Sequence, residues 1–449
     1  MINTTDLSVP AVITKDKTYS YGDLLSMIDR LSVFFENKKL ERIAIFSENR
    51  IEWIATFYAA WKNDVTVVTI DYMASNDDVG YILNDSKPDI LFASEKLQNE
   101  VAETLKTISF FPEIIYFGNI PTKENSNISK WEHPADTNKT AVIIYTSGTT
   151  DNPKGVMLSY NNLITNVLGV SRDVKIFTKQ RQVLMLLPLH HIFPLCGTMV
   201  APLYVGSTIV MSPSMQSQDL LETLKNNKVA IIIGVPRLYE IIYNGVKTKV
   251  EASAIGRLFY KIVKVSGSKS LAKMVFKKVH QNFGGKIEYL VSGGAALPKH
   301  IGQYFQTLGF DVLEGYGMTE AAPMITFTRP GMVSIGSPGH ILPGVKVEIR
   351  DGEITVKGPN IMKGYFNKPQ ETSEVLKDGW LYTGDYGHFN KKGYLYITGR
   401  KKDIIVLSNG KNVNPVELEL KFEAKYKEVD EAGVFLHKGV LYIAIKTNK

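Results

Sequence analysis

Two stretches of the chain combine small residues with side chains suited to phosphate and metal chemistry. The first follows an apolar run, Ala141 to Tyr145, whose β-branched residues predict a buried strand. Small and hydroxyl residues then leave backbone amides open to an anion, and Lys154 supplies a point charge for phosphate oxygens. Lys154 follows a proline, so this is not the Gly-Lys-Ser/Thr loop of kinases. The loop residues are Thr146, Ser147, Gly148, Thr149 and Thr150.

The second stretch reads LEGYGMTEAAP, from Leu313 to Pro323. Tyr316 lies between two glycines, so its ring is free of neighbouring side chains and suits stacking on a purine. Thr319 adds a hydroxyl, and Glu320 offers a hard carboxylate that suits Mg²⁺ together with phosphate oxygens. The alternative interpretation is a glycine-rich turn around a core tyrosine. The stretch predicts a nucleotide site with Glu320 as its metal ligand.

Three weaker candidates lie elsewhere in the chain. Gly294 and Ala295 belong to a glycine cluster after the apolar run Ile287 to Val291, and open α/β sheets bind ligands at such strand ends. Asp385 follows Thr-Gly in WLYTGD, where an aspartate is usually a turn residue. His191 lies in an apolar stretch, where it is either a satisfied core residue or part of a site, and the sequence leaves both open.

These motifs, in this order, resemble the adenylate-forming superfamily, which includes acyl-CoA synthetases, carrier-protein-loading adenylation domains and firefly-type luciferases. Tyr145 to Gly155 matches its phosphate loop, with Asp151 where the family usually has glycine. The resemblance extends from about Tyr19 to Pro415. It implies a nucleotide-binding set made of the loop residues with Lys154, Gly294, Ala295, Glu314, Gly315, Tyr316, Gly317, Thr319, Asp385, Arg400, Lys402 and Gly410.

The resemblance also implies individual roles. Glu314, Gly315 and Tyr316 would contact adenine, Thr319 the α-phosphate and Glu320 the metal. Asp385 would accept both ribose hydroxyls, and Arg400 would donate to the same sugar. Lys402 falls at the family's interdomain hinge, and Gly410 lies in a loop that swings into the site for the thioester step. His191 would line the acyl and pantetheine passage.

The reaction that the family implies needs no protein nucleophile, and no serine or cysteine with a companion base is evident. A carboxylate attacks the α-phosphorus of ATP, so the protein positions reactants and neutralises charge. Pyrophosphate and AMP are the products, and coenzyme A is the expected acceptor. Several motifs look most like the long-chain fatty acyl-CoA synthetase branch, which implies a medium- to long-chain fatty acid. The alternatives are a ligase that loads a carrier protein and a non-catalytic nucleotide- or acyl-binding remnant.

Composition sets the broad class of the protein. A chain of 449 residues exceeds a typical single core, so we expect two or more domains. With 44% hydrophobic and 22% charged residues it is typical of a globular enzyme. Its single cysteine excludes an internal disulfide and fits a reducing cytosol. No signal peptide is apparent, so we expect a cytoplasmic protein, with contact at the inner membrane surface left open.

The net charge of +7 is unevenly distributed. Residues 246–286 carry many lysines against one acid, Glu251, and their apolar residues recur at helical spacing on both sides of Ser266-Gly267-Ser268. One interpretation is a solvated helical hairpin packed on the core. The other is attraction to an anionic membrane. Nucleic acid is disfavoured because stacking aromatics and a reading motif are missing. The sequence leaves open whether two copies of the chain form a homodimer.

The surrounding pattern predicts an α/β fold. Strands at Ile43 to Phe46, Val65 to Ile70 and Ile90 to Ala93 alternate with helices, which favours parallel sheets. Further strands are predicted at Val183 to Leu187, Ser207 to Met211, Val229 to Gly234 and Ile287 to Ser292. The apolar stretch inside 182–218 has the length of a membrane span, but its prolines and glycines predict strand, turn, helix and strand instead.

Two domains are expected. Residues 1–399 would form a large domain of doubly wound, mostly parallel sheets, ending in a small β-rich subdomain after Val333. Residues 400–449 would begin a smaller α+β domain. The family's C-terminal domain is longer and carries an adenylation lysine that nothing here matches, so we expect a truncated chain that forms acyl-adenylate slowly.

Overall fold

The computed structural model describes residues 2, 4, 6–120, 136–146, 152–407, 412–426, 428–437 and 439–447. The residues Ser147, Gly148, Thr149, Thr150 and Gly410, for which roles are predicted, therefore lie outside the described residues.

The strands of the described residues form the sheets. In chain order they are β1 (Pro10–Ile13), β2 (Thr18–Ser20), β3 (Arg42–Phe46), β4 (Thr66–Ile70), β5 (Ile90–Ala93), β6 (Glu113–Tyr116), β7 (Thr140–Thr146), β8 (Lys154–Ser159), β9 (Gln182–Met185), β10 (Ile209–Met211), β11 (Val229–Gly234), β12 (Tyr289–Ser292), β13 (Asp311–Gly317), β14 (Met324–Phe327), β15 (His340–Ile341), β16 (Lys346–Arg350), β17 (Glu353–Lys357), β18 (Gly364–Tyr365), β19 (Leu376–Lys377), β20 (Trp380–Phe389), β21 (Leu395–Arg400), β22 (Ile405–Val406), β23 (Asn412–Val413), β24 (Val429–His437) and β25 (Val440–Thr447).

Helices connect and cover these strands. They are α1 (Tyr21–Glu36), α2 (Ile51–Lys62), α3 (Asn76–Ser86), α4 (Gln98–Leu105), α5 (Tyr160–Leu168), α6 (Ile192–Pro194), α7 (Ala201–Val205), α8 (Ser217–Asn226), α9 (Pro236–Glu251), α10 (Ala254–Ser266), α11 (Lys269–Val275), α12 (Lys277–Asn282), α13 (Lys299–Thr307), α14 (Pro369–Val375) and α15 (Pro415–Lys425). Short 3₁₀ turns cover Glu95–Leu97, Phe117–Asn119, Thr319–Ala321 and Lys401–Asp403, and π turns cover Gly169–Asp173 and Leu195–Val200.

Two large sheets and one smaller sheet organise the chain. The first has the order β18-β8-β7-β4-β3-β5-β6, and the second β15-β14-β13-β12-β11-β9-β10-β1-β2. Their central strands are parallel, as the alternation of strands and helices predicted. The third sheet, β16-β17-β20-β19 with β21 beside β20, is antiparallel. It confirms the predicted β-rich subdomain.

Central strands bury both faces, which explains their continuous apolar sequences. In β3, Ile43 and Ile45 enter a core shared by both large sheets, whereas Ala44 and Phe46 enter a second core with α3 and α4. In the other large sheet Ile232 enters a third core, formed with α8 to α13. The layers therefore alternate, with helices between the sheets and on both outer sides.

The first helix shows how local sequence sets an element's start. The Ser20 side chain accepts a hydrogen bond from the Asp23 amide, and the Asp23 carboxylate accepts one from the Ser20 amide. This capping box begins α1, and Leu24, Leu25 and Ile28 on one face are buried.

The apolar stretch of residues 182–218 does not form a single long helix. It forms β9, the short helices α6 and α7 around a π turn, and β10, as its prolines and glycines predicted. Within the described part of the chain, every helix falls short of the length and apolarity needed to cross a membrane.

The basic segment differs from the expected hairpin. Gly267, at φ +61°, ends α10, and Ser268 caps α11 as the Ser-Gly-Ser sequence indicated. The second amphipathic stretch, however, forms two helices, because the chain leaves helical geometry at Phe276. The apolar residues of the segment also do not all face the core. Val263, Ala272 and Phe276 are buried, whereas most apolar residues of α10 are exposed.

Residues after the third sheet form a separate small set of elements. β24 and β25 pair as a hairpin, and α15 packs on β24, where Glu419 accepts a hydrogen bond from the Val434 amide. Apolar side chains on this hairpin are exposed, among them Phe435, Tyr442 and Ile445.

Candidate functional site

Lys154 and Glu320, 166 positions apart in the numbering, meet around one aromatic ring. Lys154 begins β8 and pairs with Thr146 across the hairpin whose loop was predicted to bind phosphate. Its ammonium lies 5.2 Å from the centroid of the Tyr365 ring, a cation–π distance. The Tyr365 hydroxyl donates a hydrogen bond of 2.7 Å to Glu320 Oε1. The two predicted stretches therefore converge on one place.

The turn that carries Glu320 has a tightly determined backbone. Thr319–Ala321 form a 3₁₀ turn after β13, and the Met318 amide donates to the Pro323 carbonyl at 2.9 Å. A Cβ at Gly317 would lie 1.9 Å from that carbonyl oxygen, so only glycine fits there. Ala322 takes a left-handed conformation, at φ +58°. The Thr319 and Glu320 side chains are thus presented from a closed loop.

Two buried asparagines hold this turn from outside. Asn166 of α5 donates to the Ala321 carbonyl at 3.1 Å and accepts from the Met324 amide at 2.9 Å. Asn360 donates to the same Ala321 carbonyl, also at 3.1 Å. Side-chain amides replace the water that these buried backbone groups would otherwise need.

A second cluster joins Tyr316, Asp385 and Arg400. The Tyr316 hydroxyl donates to Asp385 Oδ2 at 2.8 Å, and Arg400 Nε lies 2.9 Å from Asp385 Oδ1. Asp385 and Arg400 face each other across β20 and β21. Burial raises the pKa of Asp385, while Tyr316 and Arg400 oppose that shift. The side chains predicted to bind adenine and ribose are thereby brought together.

The glycine cluster lies at the carboxyl ends of the parallel strands. Gly234, Ser292 and Glu314 are in register across β11, β12 and β13. Gly294 and Ala295 follow β12 and are exposed. This edge is where open α/β sheets bind ligands. Gly294 and Ala295 are therefore accessible at the edge that also carries Tyr316.

Glu314 is a partly covered carboxyl at this edge. Its Oε1 accepts a hydrogen bond of 3.2 Å from the Gly336 amide. Burial raises the pKa of Glu314 to about 7, against the lowering effect of that hydrogen bond. The carboxyl group is thus poised to exchange a proton near neutral pH.

The two histidines have different environments. His191 is exposed, so the interpretation of a satisfied core residue does not describe it. His190 is the buried one, with Nε2 3.4 Å from Asp71 Oδ1 and a ring centroid 4.1 Å from that of His191. Burial lowers the pKa of His190 to about 4, so its ring is neutral at pH 7.

The remaining predicted residue, Lys402, lies near the end of the third sheet. Lys402 is in the 3₁₀ turn that follows Arg400, and the neighbouring Lys401 ammonium lies 2.9 Å from Glu353. Cys196 is buried, and burial raises the pKa of its thiol well above the usual range, so it stays protonated.

Sequence reasoning missed Tyr365, Asn166 and Asn360. Tyr365 lies in KGYFN, whose Lys-Gly-Tyr pattern gives no local sign of a partner 45 positions away. The asparagines follow no motif, but Asn166 lies on the buried face of α5 together with Leu163 and Val167. A polar residue at such a position was the available signal, since buried amides need specific partners.

The chain is similar to known ligases. A family model described as AMP-binding enzyme matches residues 4–366. The long-chain-fatty-acid–CoA ligase FadD15 of Mycobacterium bovis is 30% identical over 417 residues, which cover 86% of this chain and 69% of that protein. The 2-succinylbenzoate–CoA ligase of Bacillus pumilus is 26% identical over 439 residues, covering 94% of this chain and 81% of that protein.

A solved structure has the same fold. The O-succinylbenzoate coenzyme A synthetase of Bacillus subtilis, in complex with AMP, superposes with a TM-score of 0.78 and is 25% identical. The match covers 98% of this chain and 86% of that chain. It confirms the predicted α/β class with its large parallel sheets and smaller β-rich part.

Replacing the buried amide with an isosteric apolar group tests its hold on the turn. Asn166→Leu leaves the Met324 amide without its acceptor and removes a donor from the Ala321 carbonyl, so we expect the free energy of unfolding to fall by about 2 to 4 kcal/mol. Urea titration followed by tryptophan fluorescence measures this. The control is Asn161→Leu on the same helix, at a half-buried position. An equal fall in both variants would contradict the assigned role.

The Glu314 carboxyl gives a pH prediction. Its folded-state pKa of about 7 lies above the ordinary value of 4.5, so the stabilising proton is fully bound below pH 4.5 and lost as pH rises through 7. Stability should fall by up to about 3 kcal/mol over that range, at about 1.4 kcal/mol per pKa unit. Glu314→Gln should remove this fall, whereas Glu374→Gln, at an exposed position, should keep it. Urea midpoints between about pH 5 and pH 8 measure the slope. Parallel slopes for wild type and Glu314→Gln would rule the assignment out.

Proposed function

Because the chain belongs to the AMP-binding enzyme family, among its adenylate-forming CoA ligases, we propose that its acid substrate is a medium- to long-chain fatty acid. The carboxylate attacks the α-phosphorus of ATP and releases pyrophosphate. The thiol of coenzyme A then displaces AMP from the acyl-adenylate, giving acyl-CoA. The similarity to FadD15 supports the fatty acid, and the 2-succinylbenzoate ligase defines the competing acid class.

The observation that carries the ATP-dependent step of this proposal is the meeting of Lys154 and Glu320 at Tyr365. A cation for phosphate oxygens and a carboxylate for a metal lie on two sides of one ring. The Tyr316–Asp385–Arg400 cluster begins only four positions before Glu320. One nucleoside triphosphate would then have charged partners for its phosphates and hydrogen-bonding partners for its sugar.

Each side chain has a task that follows from its chemistry. Lys154 neutralises phosphate charge, and the Thr319 hydroxyl donates to an α-phosphate oxygen. Asp385 accepts from ribose hydroxyls, with Arg400 as a donor to the same sugar. The Tyr316 ring stacks on adenine while its hydroxyl stays bonded to Asp385. These tasks are positioning and charge neutralisation.

Glu320 fits the role of a magnesium ligand. Its carboxylate is a hard oxygen donor, and one of its oxygens is fixed by the Tyr365 hydroxyl. When bound, Mg²⁺ would neutralise phosphate charge on the leaving group. The chain's own contribution is a carboxylate held in one orientation by a neighbouring phenol.

Other parts of the proposal concern residues around this centre. Gly294, Ala295, Glu314, Gly315 and Gly317 would border the adenine, and the exposed His191 the acyl and pantetheine passage. Ser147, Gly148, Thr149, Thr150 and Gly410 keep their family roles as proposals outside the described residues. We also propose the division at residues 399 and 400, with the hinge at Lys402 in the 3₁₀ turn. We further propose that the chain forms a homodimer. We also propose that residues 246–286 contact an anionic membrane.

An acid panel tests the substrate. The chain is incubated with ATP, Mg²⁺ and, in turn, decanoate, palmitate or 2-succinylbenzoate, and pyrophosphate release is measured. We expect palmitate or decanoate to give the fastest release. Faster release with 2-succinylbenzoate would move the assignment to that acid class. ATP binding without release for any acid would favour the non-catalytic alternative, and acyl transfer to an acyl carrier protein but not to coenzyme A would favour the carrier-loading ligase.

A lysine substitution ties the activity to the site. Lys154→Met keeps an unbranched apolar side chain but removes the ammonium group, so we expect pyrophosphate release at saturating acid to fall at least about tenfold, as for loss of one charge-assisted phosphate contact. The matched control is Lys346→Met, at an exposed position on β16. Equal rates in wild type and Lys154→Met would contradict the proposed site.

Removing one hydroxyl tests the role of Tyr365 in positioning Glu320. Tyr365→Phe keeps the ring beside Lys154 but loses the hydrogen bond to the carboxylate. We expect the Mg²⁺ concentration for half-maximal pyrophosphate release to rise about tenfold, since a hydrogen bond to a charged group contributes about 1.5 kcal/mol.

The control for this change is Tyr21→Phe, which removes a buried hydroxyl bonded to the Ser207 carbonyl in the core. It should leave the Mg²⁺ dependence unchanged. A fall in maximal rate with an unchanged Mg²⁺ requirement would mean that Tyr365 does not act through Glu320.

A further inference from the structure

The helix α10 turns an apolar face toward solvent. Five residues at helical spacing form it, and we call them the α10 ridge: Ile255, Leu258, Phe259, Ile262 and Val265. Their exposed fractions are 65%, 56%, 42%, 47% and 89%. An amphipathic surface helix ordinarily packs such a stripe on the core. A contiguous exposed apolar stripe instead marks an interaction surface.

A different side of α10 packs on the protein. Val263 is buried in the core formed with α9, α11 and α13, and Tyr260 stacks on Tyr304 of α13 with ring centroids 5.0 Å apart. Gly256 lies on the same side, where a Cβ would meet the Val250 carbonyl at 2.0 Å. This side therefore holds the helix on the protein, and folding leaves the α10 ridge exposed to solvent.

Basic side chains accompany the ridge. Arg257, Lys261 and Lys264 follow each other at helical spacing on a third side of α10, and all three are exposed. Lys261 and Lys264 have no carboxylate within ion-pair distance among the described residues. Glu251 is the one acid in the sequence between residues 246 and 286. The surface around the ridge is thus cationic.

We propose that α10 is the part of residues 246–286 that docks on an anionic lipid bilayer, an inference that rests on the membrane contact proposed above and assigns it to named side chains. The α10 ridge would enter the boundary between headgroups and acyl chains, while Arg257, Lys261 and Lys264 contact lipid phosphates. Interfacial helices have this combination of one strongly apolar face and lysines or arginines beside it. Each basic side chain at an anionic surface contributes to binding, and the contribution weakens with salt.

The charge pattern favours lipid over protein occupants. Two copies meeting through the same face would bring Arg257, Lys261 and Lys264 of one copy near those of the other, because a two-fold interface pairs a surface with itself. The cores of protein interfaces are also depleted of lysine. A bilayer of anionic lipids satisfies both the apolar ridge and the positive charge.

Vesicle flotation tests the proposal without acid, ATP or coenzyme A, so its result is independent of the catalytic assignment. The chain is mixed with vesicles of phosphatidylcholine alone or with about one third phosphatidylglycerol, at low and at high salt. We expect binding to the anionic vesicles, weakened by salt, and little binding to phosphatidylcholine. No binding to anionic vesicles at low salt would overturn the proposal.

Two variants separate the contributions of charge and apolar ridge. Arg257→Gln/Lys261→Gln/Lys264→Gln should lower the partition coefficient about a hundredfold. Leu258→Asn/Phe259→Asn/Ile262→Asn should lower it at least about tenfold while binding stays salt-dependent. Their matched controls are Lys391→Gln/Lys392→Gln and Met73→Asn/Phe111→Asn, at exposed positions elsewhere. Circular dichroism and thermal midpoints confirm that each variant folds.

Two results would contradict the α10 ridge as a membrane surface. One is an unchanged partition coefficient for the ridge variant, which would reduce the effect to diffuse charge attraction. The other is a concentration-dependent dimer in wild type that the ridge variant loses, measured by sedimentation, which would assign the ridge to a second copy.

Discussion

The buried amide of Asn166 links the two halves of the candidate site. It bonds to the Ala321 carbonyl and the Met324 amide, and so fixes the turn that presents Glu320. The helix that carries Asn166 starts directly after Ser159, which is the last residue of the strand that begins with Lys154 and also caps the helix. The lysine and the carboxylate are thus positioned from one rigid strand and helix. A displacement of α5 would move both at once.

Three sheets contribute to the site, and none contains it alone. Lys154 and Tyr365 come from the seven-stranded sheet, Tyr316 from the nine-stranded sheet, and Asp385 with Arg400 from the antiparallel sheet. Long-range side-chain contacts join these sheets. One of them is the hydrogen bond from Tyr316 in the nine-stranded sheet to Asp385 in the antiparallel sheet. Such a site exists only when the sheets are docked, so nucleotide affinity depends on their packing as well as on the contacting side chains.

The sequence predicts best where burial dominates. β5 and β11 have the bounds that their apolar runs indicated. Both faces of these strands are buried, so a continuous apolar run identifies each strand without knowledge of its neighbours. The sequence predicts no strand at β8, β18 or β20. β8 begins at the lysine assigned to the phosphate loop, and β20 includes the Thr-Gly-Asp sequence where an aspartate is usually a turn residue. The two-residue β18 pairs with β8, which is distant in sequence. Helical periodicity in the basic segment revealed an apolar face on α10 but not its direction. The side of α10 that faces the protein is set by the packing of Gly256, Tyr260 and Val263. Helical periodicity alone does not show which side this is.

The ring of Tyr365 keeps two opposite charges near each other without pairing them. Among the described residues no carboxylate lies within 4.0 Å of the Lys154 ammonium, which instead lies over the ring that bonds to Glu320. A direct ion pair would have to break before the lysine could bind phosphate and the glutamate a metal, and breaking a half-buried pair is costly. A neutral aromatic spacer avoids that cost, since its face attracts the cation and its hydroxyl orients the carboxylate. Both charges therefore stay available to a single anionic ligand that binds with its own cation.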